Sequence, residues 1–132
     1  MTNYLTKENI LTANDIKREE VQVPEWGGVV LVQGLSGRDR DQLEASMIQG
    51  KGKDTKVSLD NLRAKVVARS IVDENGNRIF SDADIPALAK KSALALNRVY
   101  EVAQRLSGIS QEDVDELTKN SETAPSDDSG SS

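Results

Sequence analysis

Hydrophobic and polar positions change rhythm several times along the chain, and each rhythm predicts an element. Val21 and Val23 alternate with polar neighbours, Pro24 halts the ladder because it has no N–H to donate, "EWGG" supplies a turn, and "VVLVQGL" resumes with β-branched residues. That sequence predicts a β-hairpin with the single Trp26 at its turn. In "SGRD", Ser36 stands three residues before Asp39, the pattern of a helix cap. It predicts a helix over residues 37–49 with Leu43, Met47 and Ile48 on its apolar side. "GKGKDTK" then reads as a mobile, solvated loop. Ser58 is placed to cap "LDNLRAKVVARSIV", in which Leu59, Leu62, Val66 and Val67 recur at helical spacing while Arg63, Lys65 and Arg69 fall elsewhere.

The longest helical pattern begins near Asp84, with Pro86 tolerated in its first turn, and continues through "ALAKKSALALNRVYEVAQRL". Leu88, Ala95, Val99, Val102 and Leu106 form its stripe, Ala89, Ala93, Leu96, Tyr100 and Ala103 widen it, and Gly108 stops it. Two weaker helical signals flank these elements. "LTKENILTAND" accommodates one or two turns, and "SQED" caps a short last helix from Ser110 and Asp113 through about residue 119. The tail "NSETAPSDDSGSS" has almost nothing to bury and is expected to be disordered. The fold class expected is α+β: a small, mainly helical domain with an N-terminal β-hairpin and a short second hairpin or turn. It spans residues 1–119 and is followed by an acidic tail at 120–132.

Composition narrows the chemistry. The 132 residues are 36% hydrophobic and only 3% aromatic, so the core must be aliphatic. There is no Cys and no His, which removes disulfides, Cys/His zinc sites, thiol nucleophiles and the usual proton shuttle of neutral pH. The net charge of −5 is uneven: residues 36–69 hold eight Lys and Arg against five Asp and Glu, whereas residues 109–132 hold seven acidic side chains against Lys119. An acidic chain without a basic, aromatic stripe argues against nucleic acid as partner. No stretch approaches the length of a membrane span, and the N-terminus lacks the basic start and apolar run of a signal peptide, so the cytosol is the default expectation.

One stretch, "DENGNRIFSDAD", imitates a calcium loop. Asp73, Asn75, Asn77, Ser81 and Asp84 fall on ligand positions. Arg78, however, occupies the place that requires Gly, and Asn75-Gly76 is a strong signal for a tight turn. A turn is therefore expected, with no metal and no cofactor. Catalysis has little support: the acidic pairs Asp39/Asp41 and Glu112/Glu116 belong to helix starts, and no Ser sits in a nucleophile context. The expectation is a protein that binds another protein rather than an enzyme. Candidate contact residues are Trp26 as an anchor, Arg63 and Arg69 on a basic helix face, and Leu96 and Tyr100 in a groove between the two main helices. For each the plainer alternative, a core or solvated position, stays open.

The runs "VQVPEWGGVVLVQGLSGRDRDQLEASM" and "SIVDENGNRIFSDADIPALAKKSALALNRVYEVAQRLSGIS" together resemble the tail assembly chaperones of long-tailed, non-contractile bacteriophages and related prophages. The likeness covers about residues 5–119 and rests on the order and spacing of several weak motifs. The resemblance implies a chaperone that binds the tape measure protein in the host cytoplasm, promotes polymerisation of major tail protein around it, and is absent from the finished virion. It also implies a longer product made by ribosomal frameshifting, through which the major tail protein would be engaged. "TKN" at residues 118–120 can be encoded ACA-AAA-AAC, which contains a slippery heptamer. A structural tail or head–tail connector protein, or a calcium-responsive adaptor, is the alternative. The resemblance carries no residue-level roles.

Overall fold

The computed structural model describes residues 3–50, 52–54, 56–109 and 112. The short helix expected to start at Ser110 and the tail at 120–132 lie outside these residues, Glu112 apart. The architecture is α+β, as expected: among the described residues there are five α-helices, a three-stranded antiparallel sheet and a two-residue ladder.

The hairpin forms where the alternation predicts it. Strands β1 (Arg18–Val23) and β2 (Gly28–Gln33) pair from Arg18 with Gln33 to Val23 with Gly28. Pro24–Trp26 make a single 3-10 turn, closed by Gly27 at φ 76, whose N–H donates to the Pro24 carbonyl at 3.0 Å. A third strand joins β2 from far along the chain: β5 (Ile71–Val72) pairs Ile71 with Val32 and Val72 with Leu31. This corrects the expectation that Ile71 and Val72 finish a helix. The helix α3 (Leu62–Ser70) stops two residues earlier, with the Ser70 hydroxyl donating back to the Val66 carbonyl at 2.6 Å. The β-branched pair after it extends into the sheet.

Helix starts follow their caps with two exceptions. α2 (Gly37–Met47) begins on Ser36, whose hydroxyl accepts the Asp39 N–H at 3.1 Å while the Asp39 carboxylate accepts the Ser36 N–H at 3.3 Å. It ends at Met47, not at residue 49. Ile48 and Gln49 form the strand β3 (Ile48–Gln49), paired with β4 (Lys56–Val57), so Ile48 is exposed instead of lining the helix. Of the segment read as a mobile loop, Gly52–Asp54 form a 3-10 turn and Lys56 belongs to β4. Ser58 does not cap α3. Its hydroxyl accepts the Asp60 N–H, and the helix starts on Asn61 in a left-handed conformation, φ 60.

The long Ala/Leu helix is two helices. A 3-10 turn at Asp82–Asp84 leads into α4 (Ile85–Leu88), and α5 (Ala93–Leu106) begins anew on Ser92, whose hydroxyl accepts the Ala95 N–H at 3.2 Å. A serine within an alanine-rich run competes for backbone N–H groups, and here it wins a cap. α5 ends as predicted at Gly108: the Gly108 N–H donates to the Arg105 carbonyl and the Ile109 N–H to the Gln104 carbonyl, a Schellman arrangement.

α5 lies across one face of the sheet and against α3. Val21, Val23 and Val32 from the strands, Val66, Val67 and Ile71 from the α3–β5 segment, and Ala95, Val99 and Ala103 from α5 close an aliphatic core. Gly34 permits a close approach of α5: a Cβ there would stand 2.7 Å from the Leu106 carbonyl oxygen. The next residue ties the same end down, its Leu35 N–H donating to the Ser107 hydroxyl at 2.8 Å.

The N-terminal helix α1 (Lys7–Thr12) is well capped by Thr6 and Asn9 but buries none of its residues.

Candidate functional site

The packing of α5 on α3 leaves a groove along their seam. Leu59, Leu62 and Ala64 from the α3 side, Ala89 from the end of α4, and Leu96 and Tyr100 from α5 line a cavity of about 330 Å³, with Arg63 at its edge. Helical spacing creates it. Leu96 and Tyr100 are four residues apart and share a face, while the small Ala89 and Ala64 hold back from filling the space between.

Arg63 is held in place. Its guanidinium carbon stands 5.2 Å from the centre of the Tyr100 ring, and its Nε donates to Asn97 Oδ1 at 3.2 Å. Asn97 in turn donates to Glu101 at 2.9 Å. The cation over the ring face is an attractive arrangement. Burial pushes the Tyr100 hydroxyl above its ordinary pKa, and the positive Arg63 partly opposes that. The groove therefore offers an apolar floor and one fixed positive charge.

The structure separates the five predicted contact residues. Arg63, Leu96 and Tyr100 come together. Arg69 does not: it is 7% exposed and lies among other groups, its Nη1 donating to Gln42 at 2.9 Å and its Nη2 pairing with Asp82 at 3.3 Å, with Asp39 3.9 Å away. The acidic partners of this supposed outward face belong to the same chain, and Arg69 ties α3 to α2 and to the 3-10 turn. Trp26 is half-buried against the core at the β1–β2 turn, bordering a different groove beside Phe80. Glu25 beside it receives Arg98 through Nε at 3.0 Å and Nη2 at 3.1 Å, which latches the turn to α5. These hydrogen bonds hold the Glu25 carboxyl below the usual carboxylate range.

The calcium-like stretch is built as a turn. Asp73 Oδ1 accepts the N–H groups of Asn75 at 2.8 Å and Asn77 at 3.0 Å, and the Asp73 N–H donates to the Asn77 carbonyl at 2.8 Å. Gly76 takes φ 86, as Asn-Gly requires. Arg78 leaves the loop altogether, donating to the Ala68 carbonyl and to Asp82. Asp84 turns to Ser81, accepting its N–H at 2.8 Å. The carboxylates that fall on calcium-ligand positions thus serve separate local turns, and among the described residues no group of three or more acidic side chains is placed to hold a metal ion. No helix among them is long and apolar enough to cross a membrane.

A family model described as phage tail assembly chaperone matches residues 6–120. The chain belongs to the phage tail assembly chaperone family. The match takes in every element from α1 through α5, so the hairpin, the core and the α3–α5 groove all lie within the matched residues. No curated protein and no solved structure matches the chain. The family role is chaperoning in tail assembly, and this chain's part in it is as a tail assembly chaperone.

Sequence reasoning missed Leu59, Leu62 and Ala89 as groove residues. Leu59 and Leu62 were legible as apolar helical positions, but the helix starts after Leu59, so their roles at the seam depend on the left-handed Asn61.

Proposed function

We propose that the chaperone domain holds the tape measure protein in the host cytoplasm through the α3–α5 groove and promotes tail tube polymerisation around it. Membership of the family supports the reading, and the groove supplies its geometry: an apolar floor at Leu62, Leu96 and Tyr100 beside the fixed cation Arg63. An amphipathic helix laid along such a seam buries its apolar stripe and offers a carboxylate to the guanidinium. Shielding that stripe keeps a long coiled-coil-forming chain from aggregating before the tube surrounds it. A frameshift-extended form sharing residues 1–119 engages the major tail protein. The family match stops at residue 120, where a slip at codons 118–120 would exchange the tail and leave the domain intact. The chaperone leaves before the virion is finished.

Co-expression with the tape measure protein of the same phage or prophage, followed by pull-down, tests the holding role. Capture by the parent protein is expected, with loss in Arg63→Glu and unchanged capture in Arg40→Glu, a helix-surface control. No capture by the parent protein sinks the reading, and capture unaffected by Arg63→Glu removes the groove from it. Mass spectrometry of infected cells tests the longer form: a single product without an extended partner rejects the frameshift. Detection of the chain in purified virions would favour a connector.

A further inference from the structure

α5 covers one face of the three-stranded sheet, and the opposite face has apolar side chains of its own. In β2, Val32 is fully buried on the helix side, whereas Val29 is 55% exposed. Leu31, two residues from Val29, shares its outward face, and Val72 pairs with Leu31 across the ladder. These side chains floor a groove of about 620 Å³ bordered by Ile79, which is 53% exposed. Ile79 also borders a second groove, of about 710 Å³, which runs past Phe80 and Trp26 to Ala87. The two grooves meet at this one side chain. Single exposed apolar residues need no explanation, but a joined run of Val29, Ile79, Phe80 and Trp26 is the kind of patch that marks an interaction surface.

Its rim has a sign. Glu20, Asp73 and Glu74 border the first groove, and Glu25 and Asp84 the second. Positive groups offset only part of this. Arg98 pairs with Glu25, Lys91 borders the second groove, and Arg18 donates to the Glu74 carbonyl. The N–H groups that Asp73 and Asp84 accept orient those carboxylates without cancelling their charge. The surface is therefore apolar in the middle and net negative around it, unlike the α3–α5 groove with its fixed Arg63.

We propose that this outer face is a second docking surface, which takes a cationic amphipathic segment of a partner protein. Apolar side chains of that segment seat over Val29, Ile79 and Phe80, and its Lys or Arg residues reach Glu20, Glu74 and Asp84. Burial of the apolar stripe supplies affinity, and the rim selects the sign, because an acidic segment would meet like charges. The chain's own α1 arm is a poorer occupant. It exposes Tyr4, Leu5, Ile10 and Leu11, but Lys7 and Lys17 are balanced by Glu8 and Asp15, so it lacks the positive excess that the rim favours. Because this face and the α3–α5 seam use different residues, a client held in one leaves the other free.

The test uses the full chain and three labelled peptides in a fluorescence anisotropy titration at physiological salt: a Leu/Lys peptide with helical spacing, its Leu/Glu twin, and a Leu/Lys peptide of scrambled order. The ordered Leu/Lys peptide should bind and the other two should not. Ile79→Ser and Val29→Ser should each weaken binding about tenfold, the loss usual for an interface anchor. Their thermal midpoints should stay at the parent value, since both side chains are more than half exposed in the parent. Glu20→Gln with Glu74→Gln should weaken binding and flatten its salt dependence, and Arg63→Glu should leave it unchanged. Amide shift mapping on the parent protein gives a readout free of variant folding, with the changes expected around Val29 and Ile79. Equal binding of the scrambled or Leu/Glu peptide overturns the proposal, as do undiminished binding by both serine variants and shifts centred elsewhere. Self-association abolished by Ile79→Ser, or tighter peptide binding after deletion of residues 1–12, would assign the face to a second copy or to the arm and also overturn it.

Discussion

Helices α1 and α5 begin alike and end differently. Thr6 accepts the Asn9 N–H and Ser92 accepts the Ala95 N–H, so each start is a hydroxyl cap three residues ahead of its partner. α1 adds a full capping box, and Leu5 and Ile10 occupy the positions of a hydrophobic staple. Yet α1 buries nothing, while α5 buries Ala95, Leu96, Val99, Tyr100 and Ala103. Caps mark where a helix starts, and tertiary burial decides how firmly it stays. A helix of six residues is far below the ~12–15 at which isolated helices become even marginally stable in water. α5 is therefore scaffold, and α1 is surface attached to it.

That contrast can be broken by mutation. Leu96→Ala, inside the α5 packing, should cost about 2–5 kcal/mol, read as a lower urea midpoint. Ile10→Ala, on exposed α1, should stay within about 0.5 kcal/mol of the parent. Equal losses at the two sites would erase the distinction. Gly34→Ala tests the other end of α5. Its Cβ would meet the Leu106 carbonyl, a backbone atom that cannot rotate away, so a cost of about 1–3 kcal/mol is expected, and an unchanged midpoint would mean that α5 shifts freely on the sheet. Gly76→Val should cost about 1 kcal/mol or more, because φ 86 disfavours a branched side chain and the new Cβ would crowd the Arg18 guanidinium. Ser92→Ala should cost about 1 kcal/mol through the lost cap, whereas Thr6→Ala should leave the global midpoint unmoved, because α1 is not part of the cooperative core. Smallest of all, truncation after Lys119 should leave the melting temperature nearly unchanged, since the removed segment has little apolar surface to bury. A fall of several degrees, on the scale of about 1 kcal/mol, would place the domain boundary later.

Acid titration sharpens a second contact in the same frame. The Arg98 guanidinium lowers the Glu25 carboxyl pKa, so the latch between the hairpin turn and α5 is present above the unfolded carboxylate range and is lost as pH falls through the lowered folded value. Trp26 fluorescence should report that loss, and Glu25→Gln should remove the transition.

Much of the fold was legible because its signals are local. The valine alternation around "PEWGG" produced the hairpin, Ser36 with Asp39 set the start of α2, Asn75-Gly76 set a turn, and Gly108 set the end of α5. Membership of the tail assembly chaperone family was legible in the same motifs taken in order. The candidate site was legible only in part: Arg63, Leu96 and Tyr100 converge because two amphipathic helices had to pack, but periodicity could not tell which cation would face the seam.

Amino-acid order alone thus determined the Ser36 cap, the Asn75-Gly76 turn, the aliphatic nature of the core and the absence of thiol and imidazole chemistry, since each depends on neighbours within a few residues or on residue type. Tertiary structure decided the rest. Ile71 and Val72 have a helical rhythm, but β2 offers them a ladder, and pairing with a partner some forty residues away leaves no trace in local spacing. Ser92 divides an apparently continuous helix: α4 packs on α3 and the Asp82–Asp84 turn, whereas α5 packs on α3 and also on β1 and β2. Arg69 looks solvated in sequence and is enclosed in space, because Gln42 arrives to accept its hydrogen bond and Asp39 and Asp82 to balance its charge. Burial is a property of what the rest of the chain brings near, and only the folded chain reveals it.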